Sequence, residues 1–129
     1  MRNVTFALLC LIAAGCSQSS RDIAISDLFG TYEMKSTGQS DIVEIRRDGS
    51  YLHKVVRSGK TSTQEGTWVV QRDDKMLWIA MADFDTSSWP EELPGSGGVV
   101  KYSALVRVEK NRIGLIVSSD LGYVYERTK

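Results

Sequence analysis

One histidine and two cysteines in 129 residues leave this chain little side-chain chemistry for metal or redox work. With His53 alone, a histidine cluster is excluded, and a zinc site would have to place carboxylates around a single imidazole. A Ser-His-Asp triad would also need His53, yet that residue lies mid-strand between Leu52 and Lys54, and no Gly-x-Ser-x-Gly elbow occurs. Asp83-x-Asp85-x-Ser87 opens like a calcium loop, but Ser88 stands where the turn glycine belongs and Pro94 where the bidentate Glu belongs. The chain is therefore read as non-enzymatic, with no catalytic residue and no metal site. Excess charge is lacking too, since 16 basic residues face 16 acidic ones, which gives no footprint for nucleic acid. Proline is scarce, and Pro90 and Pro94 sit close together in one segment. No apolar stretch reaches the length of a membrane-spanning helix, and no repeat of fixed period is evident.

What is present begins with a leader. Met1-Arg2-Asn3 carries one positive charge, and Val4 to Ala14 is almost unbroken apolar sequence, too short to span a bilayer and the right length for a signal h-region. The segment closes on Ile12-Ala13-Ala14-Gly15-Cys16, an ending that resembles a bacterial lipoprotein signal. The resemblance implies cleavage between Gly15 and Cys16, with the Cys16 thiol carrying diacylglycerol. Several acyl chains, at roughly 0.8 kcal/mol per buried CH₂, make such an attachment nearly permanent. Ser17 after the cysteine implies, by analogy with enteric lipoproteins, delivery to the outer membrane; in a Gram-positive cell the site is the outer face of the plasma membrane. An ordinary secretory signal with a chance cysteine is the competing reading. On the lipoprotein reading residues 1–15 are a removed signal peptide, 16–21 a lipidated Cys and polar tether, and 22–129 one domain. Cys10 leaves with the leader and Cys16 is consumed by lipid, so the mature domain has no disulfide and must be stable by packing alone. No cofactor is expected beyond the covalent lipid.

Ile23, Ile25, Leu28 and Phe29 open the folded part, with a short helical turn capped by Ser26. From Gly30 onward the pattern has period two. Strands are predicted over 31–36, 41–47, 50–58, 61–71, 76–82, 99–109, 112–118 and 123–127, separated by turn signals such as Asp48-Gly49, Gly59-Lys60 and Lys110-Asn111. Val100, Tyr102, Ala104, Val106 and Val108 share one face, as do Ile113, Leu115 and Val117. Two strands allow either phase: Tyr51/His53/Val55 competes with Leu52/Lys54/Val56, and Met76/Trp78/Ala80 with Leu77/Ile79/Met81. Eight antiparallel strands in an all-β meander leave two open edges unless the sheet closes, which favours an up-and-down barrel.

Phe29-Gly30-Thr31-Tyr32 at the first strand, Asp48-Gly49-Ser50-Tyr51 at a hairpin and Gly66-Thr67-Trp68 in the fourth strand make residues 28–129 resemble the small bacterial lipocalin-like lipoproteins. The resemblance implies a small lipocalin-like barrel whose floor is closed by an aromatic ring of the first strand and an arginine of the last. Tyr32 and Arg127 hold those positions here, with Tyr where lipocalins carry Trp.

Two functions of different classes fit this reading. One is a tethered binding barrel for a small, partly apolar ligand, with Tyr51, Trp68 and Tyr102 lining the interior. Eight strands, however, leave an interior that side chains can nearly fill. The other is a protein-interaction module, such as an inhibitor, an immunity factor or an envelope assembly accessory, that presents the connection Asp83 to Gly98. That connection exceeds every other in length, holds both prolines, and carries four carboxylates and no basic residue. Phe84 and Trp89 would anchor a basic envelope protein there while Glu91 and Glu92 steer it; alternatively Trp89 folds back over the barrel mouth as a lid. A packed interior or an inner cavity distinguishes the two functions. The domain is expected to be a monomer, with the membrane as partner through its lipid. Replacing Cys16 with Ser should release the protein from membranes, because a hydroxyl does not replace the thiolate that takes the diacylglyceryl group. Co-sedimentation after a high-salt wash measures it, and a membrane-bound variant would refute the anchor.

Overall fold

Period-two alternation along eight short strands decides the architecture, since each strand buries one face. The computed structural model describes residues 22–36 and 38–128. A 3₁₀ turn, Ile25–Leu28, precedes β1 (Gly30–Ser36), β2 (Gln39–Ile45), β3 (Ser50–Arg57), β4 (Lys60–Arg72), β5 (Leu77–Asp85), β6 (Val99–Glu109), β7 (Arg112–Ser118) and β8 (Tyr123–Arg127). Every strand pairs antiparallel with the next, and β8 returns to β1, so the sheet is a closed eight-stranded barrel. This geometry is compatible with a lipocalin-like fold.

The inner face is the predicted one for β6, where Tyr102, Ala104 and Val106 are buried and Val100 and Val108 pack against the core. The two open phases resolve as Tyr51/His53 for β3 and Leu77/Ile79/Met81 for β5. β6, β7 and β8 have the expected bounds, and the ends of the other strands differ from expectation by at most three residues. The largest difference is at β5, which runs on through a bulge between Met81 and Phe84 to Asp85, so the long connection is Thr86 to Gly98. The 3₁₀ turn forms where expected, but Ser26 lies inside it; Ala24 is at its N-cap and no side chain caps it.

One end of the barrel is a floor. Leu28, fully buried, plugs it from the 3₁₀ turn, and the Tyr32 hydroxyl donates to the Leu28 carbonyl at 2.7 Å. Arg127, opposite Tyr32 in register, donates to the carbonyls of Asp27 and Phe29, while Arg72 reaches the Ile23 carbonyl at 3.0 Å. These side-chain bonds matter because, among the described residues, β1 and β8 share two register pairs, Tyr32 with Arg127 and Glu33 with Glu126, followed by the Thr128 N–H bond to the Thr31 carbonyl. Burial raises the Tyr32 hydroxyl pKa to about 12, against the lowering effect of Arg127.

The opposite half contains a seam. β4 pairs with β3 through Thr67 and with β5 only from Trp68 onward, so the first half of β4 lacks backbone bonds to the end of β5. Side chains bridge the gap. Gln64 donates to the Asp83 carbonyl and accepts from the Asp85 N–H at 2.9 Å, and the Tyr51 hydroxyl donates to the Ala82 carbonyl at 2.6 Å. Tyr51 reaches β5 only because it passes over Gly66, where an added Cβ would stand 2.5 Å from the ring. The ring is fully buried and tethered at its hydroxyl, so it cannot swing clear. Gly66→Ala should therefore destabilise the domain by about 1–3 kcal/mol through overpacking. Urea denaturation tests this, and an unchanged midpoint would mean that the seam yields.

Candidate functional site

The mouth of the barrel concentrates the buried polar chemistry. Asp41 occupies an inner-face position at the start of β2 and is fully buried. Such a group is costly unless hydrogen-bonded, and three donors from different parts of the chain meet it. His53 Nε2 from β3 lies 2.7 Å from Oδ1, and the Tyr125 hydroxyl from β8 donates to the same oxygen at 2.9 Å. Ser88 from the long connection donates to Oδ2 at 2.9 Å. Trp89 Nε1 then donates to the Tyr125 oxygen at 3.1 Å, extending the chain of bonds into the plug. Desolvation, with the nearby Asp41 second, holds the Tyr125 hydroxyl well above the usual tyrosine range.

Around this network the rings fill the axis. Phe84 stacks on His53 with centroids 4.2 Å apart and meets Tyr51, Tyr102, Trp89 and Tyr125 at 5.2–6.5 Å. Trp89 stands edge-on to Tyr102 at 5.0 Å. The connection that delivers Trp89 is stitched at its base by Thr86. The Thr86 N–H donates to the Gly98 carbonyl at 2.7 Å, its carbonyl accepts from Trp89 and Gly97, and its hydroxyl lies within bonding distance of the Gly95 and Gly98 carbonyls. Gln39 donates to the Ser88 carbonyl at 2.9 Å, and the Tyr123 hydroxyl donates to Glu92 at 2.8 Å. Residues 86–98 thus form a compact plug in which Trp89 and Leu93 are buried.

The residues singled out from sequence take definite places in this arrangement. Tyr51, Trp68 and Tyr102 are buried core rings with committed polar atoms. Tyr51 bonds Ala82, Tyr102 donates to the Ile116 carbonyl at 2.8 Å, and Trp68 Nε1 donates to the Arg46 carbonyl at 2.9 Å while its ring meets Phe29 at the floor. Phe84 and Trp89 do not project as anchors: Phe84 is fully buried at the centre of the ring cluster and Trp89 is only 7% exposed. Glu91 and Glu92 do remain at the surface. Cys16 lies outside the described residues. Sequence reasoning missed Asp41 and the link from it through Ser88 to the plug; the available signal was a charged residue on the inner face of a strand, next to the inner-face His53.

The network also limits what chemistry the mouth offers. Ser88 donates to the carboxyl oxygen that His53 does not contact, so its hydroxyl is not relayed through the imidazole as an activated nucleophile would be. Beside the network, over the seam, lies a groove of about 240 Å³ lined by His53, Val55, Arg57, Lys60, Ser62, Gln64, Asp85, Ser87 and Ser88. A Ser87 N–H bond holds the Asp85 carboxyl below the usual carboxylate range. Comparison with family models, curated proteins and solved structures finds no match. Replacing Asp41 with Leu would leave His53, Tyr125 and Ser88 without their acceptor and should cost about 2–4 kcal/mol, one to three for each buried group left unpaired less what the plug recovers by opening to water. Thermal unfolding followed by tryptophan fluorescence, with the Trp89 share taken as the difference from Trp89→Phe, reads both effects; a stable variant with an unshifted emission would show that packing alone holds the plug.

Proposed function

We propose that this chain is a lipid-tethered, non-catalytic interaction module of the cell envelope, and that the plugged mouth is its recognition face. The observation that carries this reading is the seat of Trp89: its ring fills the mouth and its N–H is bonded to Tyr125, so the barrel axis is occupied by the protein itself. A small apolar ligand on the axis would have to displace Trp89 and Leu93 together with their bonds. Recognition is then left to the outer side of the plug, where exposed Glu91 and Glu92 give an acidic rim suited to a basic partner surface. The plug holds that rim rigidly at Thr86, Ser88 and Trp89, which lowers the ordering cost of association. The lipid on Cys16 would keep the module at the outer membrane, or at the outer face of the plasma membrane in a Gram-positive cell.

The test sets the two functions against each other. Titration of the lipidated protein with a fluorescent fatty acid should show no saturable quenching of Trp89, and cross-linking in intact envelopes should give an adduct that Glu91→Gln/Glu92→Gln removes. Saturable quenching at one equivalent, with cross-links unchanged in the variant, would overturn the proposal in favour of a ligand-binding barrel.

A further inference from the structure

A second concavity lies on the outside of the barrel at the floor end, away from the mouth. Arg107 on β6, Arg112 and Gly114 on β7, and Arg127 on β8 line a cleft of about 520 Å³, with Lys110 at the β6–β7 turn. Glu109 and Glu126 also line it, so cations outnumber carboxylates by two. Gly114 lets Val124 pack close against β7, since an added Cβ would stand 2.9 Å from Val124 Cγ1, and Arg107 Nη2 lies over the same position.

Arg107, 39% exposed, holds its two carboxylate partners loosely there. Its carboxylate neighbours are Glu109 Oε2, 3.6 Å from Nε, and Glu126 Oε1, 3.7 Å from Nη2, both beyond hydrogen-bond length. Its Nε is buried without a hydrogen-bond partner among the described residues. A guanidinium offers a planar fork of donors that suits an oxyanion, and phosphate oxygens are its common counterpart. Both glutamates are about two-thirds exposed and can swing aside when a stronger acceptor arrives.

The position of the cleft says which phosphate. Ile23 and Asp27 line an adjoining pocket that shares Ile113 and Arg127 with the cleft, so the chain enters the barrel beside it. Six residues lie between Cys16 and Ile23, a reach of at most about 25 Å over the seven steps. We propose that this cleft docks on the phosphate headgroups of anionic lipids in the membrane that holds the anchor, with Arg107 and Arg112 as the contact residues. The inference rests on the lipid anchor of the proposed function. It sets the floor against the bilayer and turns the acidic mouth away from it.

Hydrogen exchange on the lipidated protein, in vesicles of phosphatidylcholine alone and in vesicles that also contain phosphatidylglycerol, tests the docking. Each basic residue at an anionic surface strengthens attachment about five-fold, so the surplus of two should slow exchange at the Lys110–Asn111 turn about 25-fold in the anionic vesicles. Arg107→Gln/Arg112→Gln should abolish the slowing, Arg107→Lys should keep most of it, and Lys60→Gln at the mouth end should leave it unchanged. Equal exchange in both vesicles, with the protein bound to each, would overturn the docking and leave the anchor standing. Failure to enter either vesicle would overturn the anchor and the docking with it. Equal slowing by inorganic phosphate on neutral vesicles would assign the cleft to a soluble phosphate compound and overturn the lipid assignment.

Discussion

The carboxyl of Asp41 is the constraint on which the mouth of this barrel depends. It sits fully buried where the interior is otherwise aromatic and aliphatic, and a lone carboxyl in such a place would oppose folding. Its three donors come from β3, from β8 and from the plug, so satisfying one side chain fixes three parts of the chain relative to β2. The arrangement is specific because it is demanding: a register slip of one residue on β2 or β3 would turn Asp41 or His53 outward and strand the other partner. Apolar packing alone would not discriminate so sharply, since Leu52 and Val56 on the opposite face of β3 could fill a core nearly as well.

The plug follows from that carboxyl and from the ring cluster together. Ser88 reaches Asp41 and the adjacent Trp89 reaches Tyr125, so two consecutive residues bind the ends of one hydrogen-bond chain. Phe84 holds the other side, since the bulge before it aims the ring at His53 and into the path of Trp89. That bulge is also why the wall has a seam. By bending β5 away from β4, it removes backbone pairing that Gln64 and Tyr51 then replace with side-chain bonds. The groove at the mouth, the seam and the plug are therefore one feature, each a consequence of how β5 ends.

Strand order and closure were legible in the sequence because turn signals and alternation agree along most of the chain. Ser58-Gly59 and Lys110-Asn111 all take positive φ, the backbone form that two-residue hairpin turns require. The phases of β3 and β5 were not legible, for different reasons. The inner face of β3 carries His53, so its apolar count equals that of the outer face. On β5, outward Ala80 is only 2% exposed and Trp78 is half-buried, so both faces look like core. Loss of the β3 phase also hid the site, because only the hairpin register, in which Val43 opposes His53 and Asp41 opposes Val55, brings Asp41 diagonal to His53 on one face. Trp89 could be placed either outward as an anchor or inward as a lid by composition alone. The choice depended on acceptors far away in sequence, Tyr125 and Asp41, that no local pattern reveals.

The two ends of the barrel differ in how they are closed, and this difference orders the functional reading. The floor is closed by arginines bonded to backbone carbonyls of the incoming chain, a tie between the domain and whatever lies on the N-terminal side of Ile23. The mouth is closed by hydrogen bonds and rings around one carboxyl, with further carboxylates at Asp83, Asp85, Glu91 and Glu92 around it. Beside the incoming chain the β6–β8 cleft carries four cations against two carboxylates, while at the far end residues 83–98 carry four carboxylates and no basic residue. For a domain held to a surface by its N-terminus, that contrast is an orientation signal: the cleft beside the incoming chain is attracted to phosphate and the acidic plug is repelled by it. A barrel oriented in this way presents the plug and its acidic rim to the space beyond the membrane, where a partner would meet it.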